Sequence, residues 1–578
     1  MISRPDPEAL LRDLDVEQQA VCRHQQGPLC VLAGAGTGKT RAITHRLAYG
    51  VATGAYRADQ VMALTFTAKA AGEMRVRLRR LGVPGVQART FHAAALAQLR
   101  HFWLDAVGVR QPHVLPGKLP VLQDAAARLH LEPGTDVLRD IAAEIEWRKV
   151  RDLTIDQYLR LQRPAPGGLA ADQVAELMSL YERAKDERRE IDFEDILLAT
   201  CGMLRTQPQV AAQVREQYRV FVVDEFQDVS PIQFQLLRTW LGRRQEVCVV
   251  GDPSQTIYSF AGADPRLLTG FAEQFPAAAV MHLTHDYRST RQIVGVANRL
   301  IESQPGALRL EADAEGPKVE IAPFSDQQAE AAAVAARARQ LIAAGANPAD
   351  IAVLVRVNAQ TAPFERAFAA AGVPCAVRQA VPFFARPAVA KATVMLGAAA
   401  AEDATGTLVD RVERVLAECG WTPRPPAGPE ERSTWSDLQA LRDLAAEQRE
   451  GAALAGFYGE LLERKNAAAP PPARAVALST VHAAKGLEWE AVFLTGLCEG
   501  SLPIAAADTP ELIDEELRLM YVAVTRARRE LYLSWPAAAG RSPRDPSRFL
   551  QRLRIGRRTR PAADGRRSPD GTRGRARR

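Results

Sequence analysis

Residues 33–40 read AGAGTGKT, with the apolar run LCVL before them and a helical pattern after them. No other stretch narrows the fold so far. A short buried strand, a Gly-rich turn and a helix opening at about Lys39 let backbone N–H groups converge on phosphate oxygens at a helix N-terminus. Gly34, Ala35, Gly36, Thr37 and Gly38 supply the cradle. Lys39 reaches the outer phosphates, and the Thr40 hydroxyl can hold Mg²⁺. Ala33 stands where the first glycine of GxxxxGK[ST] is usual, a mild departure.

The segment VFVVDEFQD (220–228) reads as the other half of that site. Four apolar residues form a buried strand, and its C-terminal end presents Asp224 and Glu225. One carboxylate there can anchor Mg²⁺ opposite Thr40; its neighbour can orient or deprotonate an attacking water. A DE pair after a strand is ordinarily a solvated turn. Following a P-loop and continued by FQD, it reads instead as the acidic side of an ATPase centre.

Strand–loop–helix units recur in QVMALTFTAKAAGEM, YRVFVVDEFQDVS and EVCVVGDPSQTIYSF, and again in KVEIAPF, ADIAVLVRV, RAVALSTVHAAKGLEWEAVFLTGL and ELYLSW. Such repetition implies parallel sheets covered on both faces, hence an α/β chain. Two stretches, 93–200 and 379–472, are mainly helical in pattern, and the second ends in the Pro-rich AAAPPPARA. With 47% hydrophobic and 25% charged residues the chain is of globular composition. It has no run of eighteen apolar residues and no signal-like N-terminus, so no membrane contact and a cytoplasmic location are expected. Seven scattered cysteines without a CxxC pair argue against a zinc site or a disulfide framework. The net charge of +6 conceals an asymmetry. Residues 552–578 hold eleven Arg and two Asp, a net +9, so the other 551 residues sum to −3. Nucleic-acid contact by the folded body must come from local patches.

The blocks TFTAKAAGEM (65–74), TFH (90–92), IDFEDIL (191–197), QTIYSFAGAD (255–264), THDYRST (284–290), STVHAAKGLEW (479–489) and YVAVTRAR (521–528), in this order, resemble the signature set of the UvrD/Rep/PcrA helicases of superfamily 1. The resemblance covers about residues 10–535. It implies an ATP- and Mg²⁺-dependent motor that moves 3′→5′ on single-stranded DNA, unwinds duplex at single-strand/double-strand junctions and serves repair or replication restart. The alternative is a translocase that displaces proteins without processive unwinding. The family also implies association with the nucleoid, repair-protein partners, and a monomer that can dimerise on DNA.

Residue roles follow from the same likeness. Gln18 resembles the adenine-reading glutamine, and Tyr287 with Arg41 the pair that sandwiches the adenine ring. Arg288 and Arg526 resemble the arginines that reach the γ-phosphate from the second motor domain, and Gln255 the γ-phosphate sensor. Glu488 resembles the residue that holds the ribose or the closing network. Phe66, His92, Tyr258 and Phe260 match DNA-stacking positions; Thr90 and His482 match phosphate-contacting ones. Departures are Asp286 where Asn is common, Ala261 where Arg is common, and Leu517 where a second Arg is usual.

The implied architecture is two RecA-like motor domains, each with a mainly helical insertion. Domain 1A is expected at 1–91 and 196–278, its insertion 1B at 92–195, domain 2A at 279–378 and 473–545, and a reduced insertion 2B at 379–472. An Arg-rich tail, 546–578, is expected to be disordered.

Overall fold

A computed structural model describes residues 5–377, 384, 386–400, 406–424, 429–446, 448, 452–466, 475–539 and 542–553. Most of the expected Arg-rich tail lies outside the described residues, as does the Pro-rich stretch that ends the second helical region.

Two six-stranded parallel sheets form the body. The first contains β1 (Leu29–Ala33), β2 (Val61–Thr65), β3 (Gln87–Thr90), β4 (Val220–Val223), β5 (Val247–Gly251) and β6 (Ala279–Leu283), in the order β3-β2-β4-β5-β1-β6. The second contains β7 (Glu320–Phe324), β8 (Ile351–Val355), β9 (Cys375–Val377), β10 (Val476–Thr480), β11 (Trp489–Leu494) and β12 (Ala527–Pro536), in the order β9-β10-β8-β11-β12-β7. Alternate residues feed opposite faces. Leu29, Val31, Val220 and Val222 enter one core of the first sheet, while Cys30, Met62, Phe221 and Val223 enter the other. Ile351 and Val353 likewise oppose Ala352 and Leu354 in the second sheet. That two-sided burial is why these strands are continuous apolar runs.

The helical insertion between β3 and β4 comprises α3 (Phe91–Val107), α4 (Leu119–Arg128), α5 (Thr135–Val150), α6 (Ile155–Arg160) and α7 (Ala171–Arg188), followed by α8 (Phe193–Thr206). Helices α4 to α7 share a core of their own around Leu122, Ile141, Ile145, Met178 and Tyr181. Helices α3 and α8 instead bury Phe91, Leu99, Ile196 and Leu197 against the first sheet. Between β9 and β10 a second helical core gathers Leu396, Leu416, Trp421, Leu438 and Leu461.

Two boundaries differ from the sequence expectation. Ala279–Leu283 pairs with β1 through Leu29 to Ala33, so the chain leaves the first sheet after Leu283, later than the expected domain start at 279. The alternating, half-exposed MHL of this edge strand hides the signal that buried strands show. Helix α3, assigned to the insertion, packs on the first sheet because its apolar face, Phe91, Ala94, Ala95 and Leu99, joins the core formed by Met62 and Leu64 of β2 and Phe221 and Val223 of β4.

Candidate active site and nucleic-acid interface

The P-loop joins β1 to α2 (Lys39–Thr53). Gly36 and Gly38 adopt φ of +74° and +77°, a region that side chains disfavour. Gly38 is the N-cap of α2 with no side chain filling the cap, so the helix's first N–H groups face the cleft. Lys39 Nζ lies 3.3 Å from the Ala33 carbonyl and 3.5 Å from that of Gly34, folded back on the loop it serves. The P-loop and Arg41 line a cavity of about 1180 Å³, together with Asp224, Glu225, Gln255, Tyr287, Arg288, Glu488 and Arg526. The second motor presses directly on the loop: a Cβ at Gly36 would meet Asp286 Oδ1 at 1.9 Å.

At the acidic end, Thr40 Oγ1 donates to Asp224 Oδ2 at 3.1 Å. Burial, then the charge of Glu225, pushes the Asp224 carboxyl up to about 6, against the pull of Lys39 and Thr40. Hydroxyl and carboxylate oxygens side by side, with a carboxylate short of positive charge, fit a hard divalent cation completed by phosphate oxygens. Glu225 has φ +54°, a left-handed backbone that is uncommon outside glycine, and accepts from Gln227 Nε2. Burial would raise its carboxyl, but Lys39, Lys485 and Arg526 hold it below the ordinary value. It therefore stands ionised in the cleft, ready to accept a proton or a water hydrogen.

The opposite wall comes from the second motor. Arg526 is 2% exposed. It donates to Val522 O at 2.9 Å and Leu487 O at 3.2 Å, and its Nη2 lies 3.5 Å from Gln255 Oε1 across the domain boundary. Burial, then Arg288, lowers its pKa to about 10. Arg288 pairs with Glu488, and Glu488 also faces Arg528 at 3.6 Å. Glu488 thus sits in the ionic network at the cleft mouth. Gln255 donates to Asp252 Oδ2 at 2.8 Å, which also receives the Tyr521 hydroxyl at 3.2 Å.

The residues expected on the adenine side are less fully assembled. Gln18 is buried beneath the P-loop and spends its amide on the Thr37 carbonyl at 3.0 Å. Arg41 Nη2 bonds the Asp13 carbonyl at 2.7 Å, and Tyr287, 56% exposed, bonds Asp15 at 2.5 Å. The two side chains flank the cavity mouth without stacking on each other.

On the far side of this cavity lies a row of aromatic rings. Phe66 stacks on Tyr258 with centroids 5.4 Å apart; Tyr258 meets Phe260 edge-on at 6.1 Å, and Phe260 meets His482 at 5.8 Å. Phe66 and Phe260 are 44% and 65% exposed. Burial first, then Arg356 and Lys485, pushes the His482 imidazole down to about 4. His92 is set apart from that row, its ring 3.8 Å from Phe193, and burial lowers it to about 4 as well. The Thr90 hydroxyl caps α3 by accepting from Ala93 N at 3.2 Å.

Three residues to which the sequence assigns no role join the site. Lys485 Nζ bonds Asp228 Oδ2 at 2.6 Å and the Gln255 carbonyl at 2.8 Å, and stands 4.9 Å from the Tyr258 ring centre. It therefore touches the acidic loop, the Gln255 segment and the aromatic row at once. Phe193 forms the second aromatic stack, and Glu17 accepts from Thr284 N and Oγ1, both at 2.8 Å, tying α1 (Val16–Arg23) to the start of the second motor. A lysine inside a motif of so arginine-rich a chain marks Lys485 in the sequence without giving its contacts; the other two need the fold.

Comparison with known proteins agrees with this geometry. The UvrD/REP helicase N-terminal domain model matches residues 14–276, and the UvrD-like helicase C-terminal domain model matches 281–422 and 438–538. The chain is 45% identical over 574 residues to ATP-dependent DNA helicase UvrD2 of Mycobacterium tuberculosis, covering 94% of this chain and 82% of that protein. It is 29% identical to UvrD1 of the same organism, over 92% and 83% of the two chains. To PcrA of Bacillus subtilis it is 27% identical, over 94% and 86%. With both helicase domains matched and the cleft between them built from the expected residues, the chain belongs to the UvrD-like helicase family.

Proposed function

We propose that the protein is an ATP-dependent DNA helicase that moves 3′→5′ on single strands and opens duplex at single-strand/double-strand junctions. The observation that carries the reading is the shared wall between the two sites. Phe66 and Tyr258 line the same cavity as the P-loop, and Lys485 bridges Asp228, Gln255 and Tyr258. A change at the phosphates can therefore shift the aromatic row by direct contact.

In this reading Lys39 and the P-loop amides hold the phosphates, and Glu225 accepts hydrogen from the attacking water. Arg288 and Arg526 neutralise charge as it builds in the transition state. Thr40 and Asp224 hold Mg²⁺, which adds positive charge at the phosphates. The exposed aromatic faces stack on bases without regard to sequence, each contributing about 1–3 kcal/mol. Polarity, a role in repair or restart and repair-protein partners rest on the family likeness.

The test is ATP turnover with and without single-stranded DNA, followed by single-turnover unwinding of duplexes with either a 3′ or a 5′ tail. Stimulation by DNA and a 3′ preference are expected. A 5′ preference would overturn the polarity. Turnover indifferent to DNA would overturn the coupling. A second reading, translocation with weak unwinding, is favoured by the small separate core between β9 and β10. It expects DNA-stimulated turnover and little strand separation when DNA exceeds protein.

A further inference from the structure

Away from the ATP cleft, the chain buries two of its nine lysines in one place. Lys149, near the end of α5, has its Nζ 2.6 Å from Asp192, 2.7 Å from Asp195 and 3.0 Å from Glu182. Lys185 on α7 lies 2.8 Å from Glu182 and 3.1 Å from Asp192, and also contacts Asp195. Arg148 adds a bond to Glu182 at 2.7 Å, so three cations face three carboxylates. The Tyr181 hydroxyl donates to Asp192 at 2.9 Å. An ammonium has three N–H donors in a compact head, and here each meets three carboxylates. A planar guanidinium would not fit that role, which accounts for lysine in a chain with 65 arginines.

A buried ion cluster is a weak device for stability, because desolvation offsets most of its attraction. Its strength is geometric: unpaired, these groups are costly, so only one arrangement of the helices is tolerated. That arrangement reaches two places. Asp192 caps α8, accepting from Asp195 N at 3.0 Å while its own N–H bonds Asp195 Oδ2 at 3.0 Å. The next residue is Phe193, 53% exposed and stacked on His92. At the other end, Lys149 is followed by Val150. A Cβ at Gly262 would lie 2.1 Å from Val150 Cγ2, and Gly262 closes the turn Ser259–Ala261 that carries Phe260.

We propose that the cage of Lys149, Lys185, Asp192 and Asp195 is a positioning device for DNA. It sets the separation between the Phe193–His92 stack and the Tyr258–Phe260 wall, so that the two form one track for a single strand. The cage residues touch no base themselves. The idea rests on the reading that these aromatics carry DNA.

The experiment compares two variants of the full chain. One combines Lys149→Met, Lys185→Met, Asp192→Asn and Asp195→Asn, which keeps volume and a capping side chain while removing all four charges. The other is Phe193→Ala. Thermal melting confirms the fold. The readouts are the oligonucleotide concentration that half-saturates ATP turnover and the quenching of a 2-aminopurine base placed at successive positions. For the combined variant that concentration should rise about tenfold, roughly 1.4 kcal/mol of strand binding. The saturated rate and the DNA-free rate should hold, and quenching by one stack should be lost. A structural role alone would not split the parameters in this way. If Phe193→Ala weakens binding and the combined variant does not, the proposal is overturned. If Phe193→Ala has no effect, the strand path itself is wrong and the proposal falls with it. Should the combined variant not fold, Asp195→Asn alone carries the test, with a smaller rise expected and no rise counting against it.

Discussion

The two motor sheets open in the same way, with a strand running into a helix, yet they treat that helix's first turn in opposite ways. After β1 comes AGAGTGKT, and α2 begins at a glycine with an empty cap. After β7 comes Ser325-Asp326, and the Asp326 carboxylate accepts from Gln328 N and Ala329 N, each at 2.9 Å. The first helix leaves its amides open to the cleft, as a phosphate site requires; the second satisfies them with its own anion. The cap is one of several differences, since Lys39, Thr40, Asp224 and Glu225 also line the cleft on the first side alone. The second half of the chain contributes Arg288 and Arg526 to the lining of the same cavity.

Experiments can press on that asymmetry. The largest effect should come from Glu225→Gln in the first motor. Hydrolysis should fall by about 10²–10⁴ with nucleotide affinity near normal, read by single-turnover ATP cleavage beside equilibrium binding. Lys39→Ala should weaken phosphate binding too. Next, Arg526→Ala in the second motor should lower the rate by on the order of 10² without abolishing affinity. Lost affinity with an unchanged rate would make it a ground-state ligand and dissolve the division of labour. Phe260→Ala should weaken oligonucleotide binding by about 1–3 kcal/mol, seen by fluorescence titration.

Smaller still is a pH effect. His92 and His482 lie near 4 in the fold, below the ordinary histidine value of 6.5. The unfolded chain therefore binds more protons between about 4 and 6.5, and stability should fall as pH drops through that window. Melting temperatures of His92→Gln should show a shallower decline there. Last, Asp326→Ala should cost about 1 kcal/mol of stability and leave ATP turnover intact. A turnover defect would mean that the second helix's cap does more than close its own end.

The parts legible in sequence were those where chemistry dictates residue type over a short span. The P-loop, Asp224 and Glu225 are adjacent in sequence or end recognisable strands. The buried strands were plain because both faces are covered. Edge strand Ala279–Leu283 was placed in the wrong motor because a half-exposed strand loses that uniform pattern. The Lys149–Lys185 cage was invisible, since its members are separated by up to 46 residues and each alone resembles a solvated charge. Phe193 read as one letter of the IDFEDIL block; its stack with His92 exists only once α3 and α8 pack together.

The fit of Asp286 against Gly36 has a consequence for how such a chain can change. The P-loop glycine lines the cleft on one side and meets Asp286 on the other, with no room for a methyl group. Positions 36 and 286 therefore share one small space, yet Gly36 is also held by its φ of +74°: a smaller residue at 286 would clear the clash but not the left-handed backbone that side chains disfavour. The glycine is thus locked twice, once by its neighbour's shape and once by its own backbone, so no compensating change at 286 alone releases it.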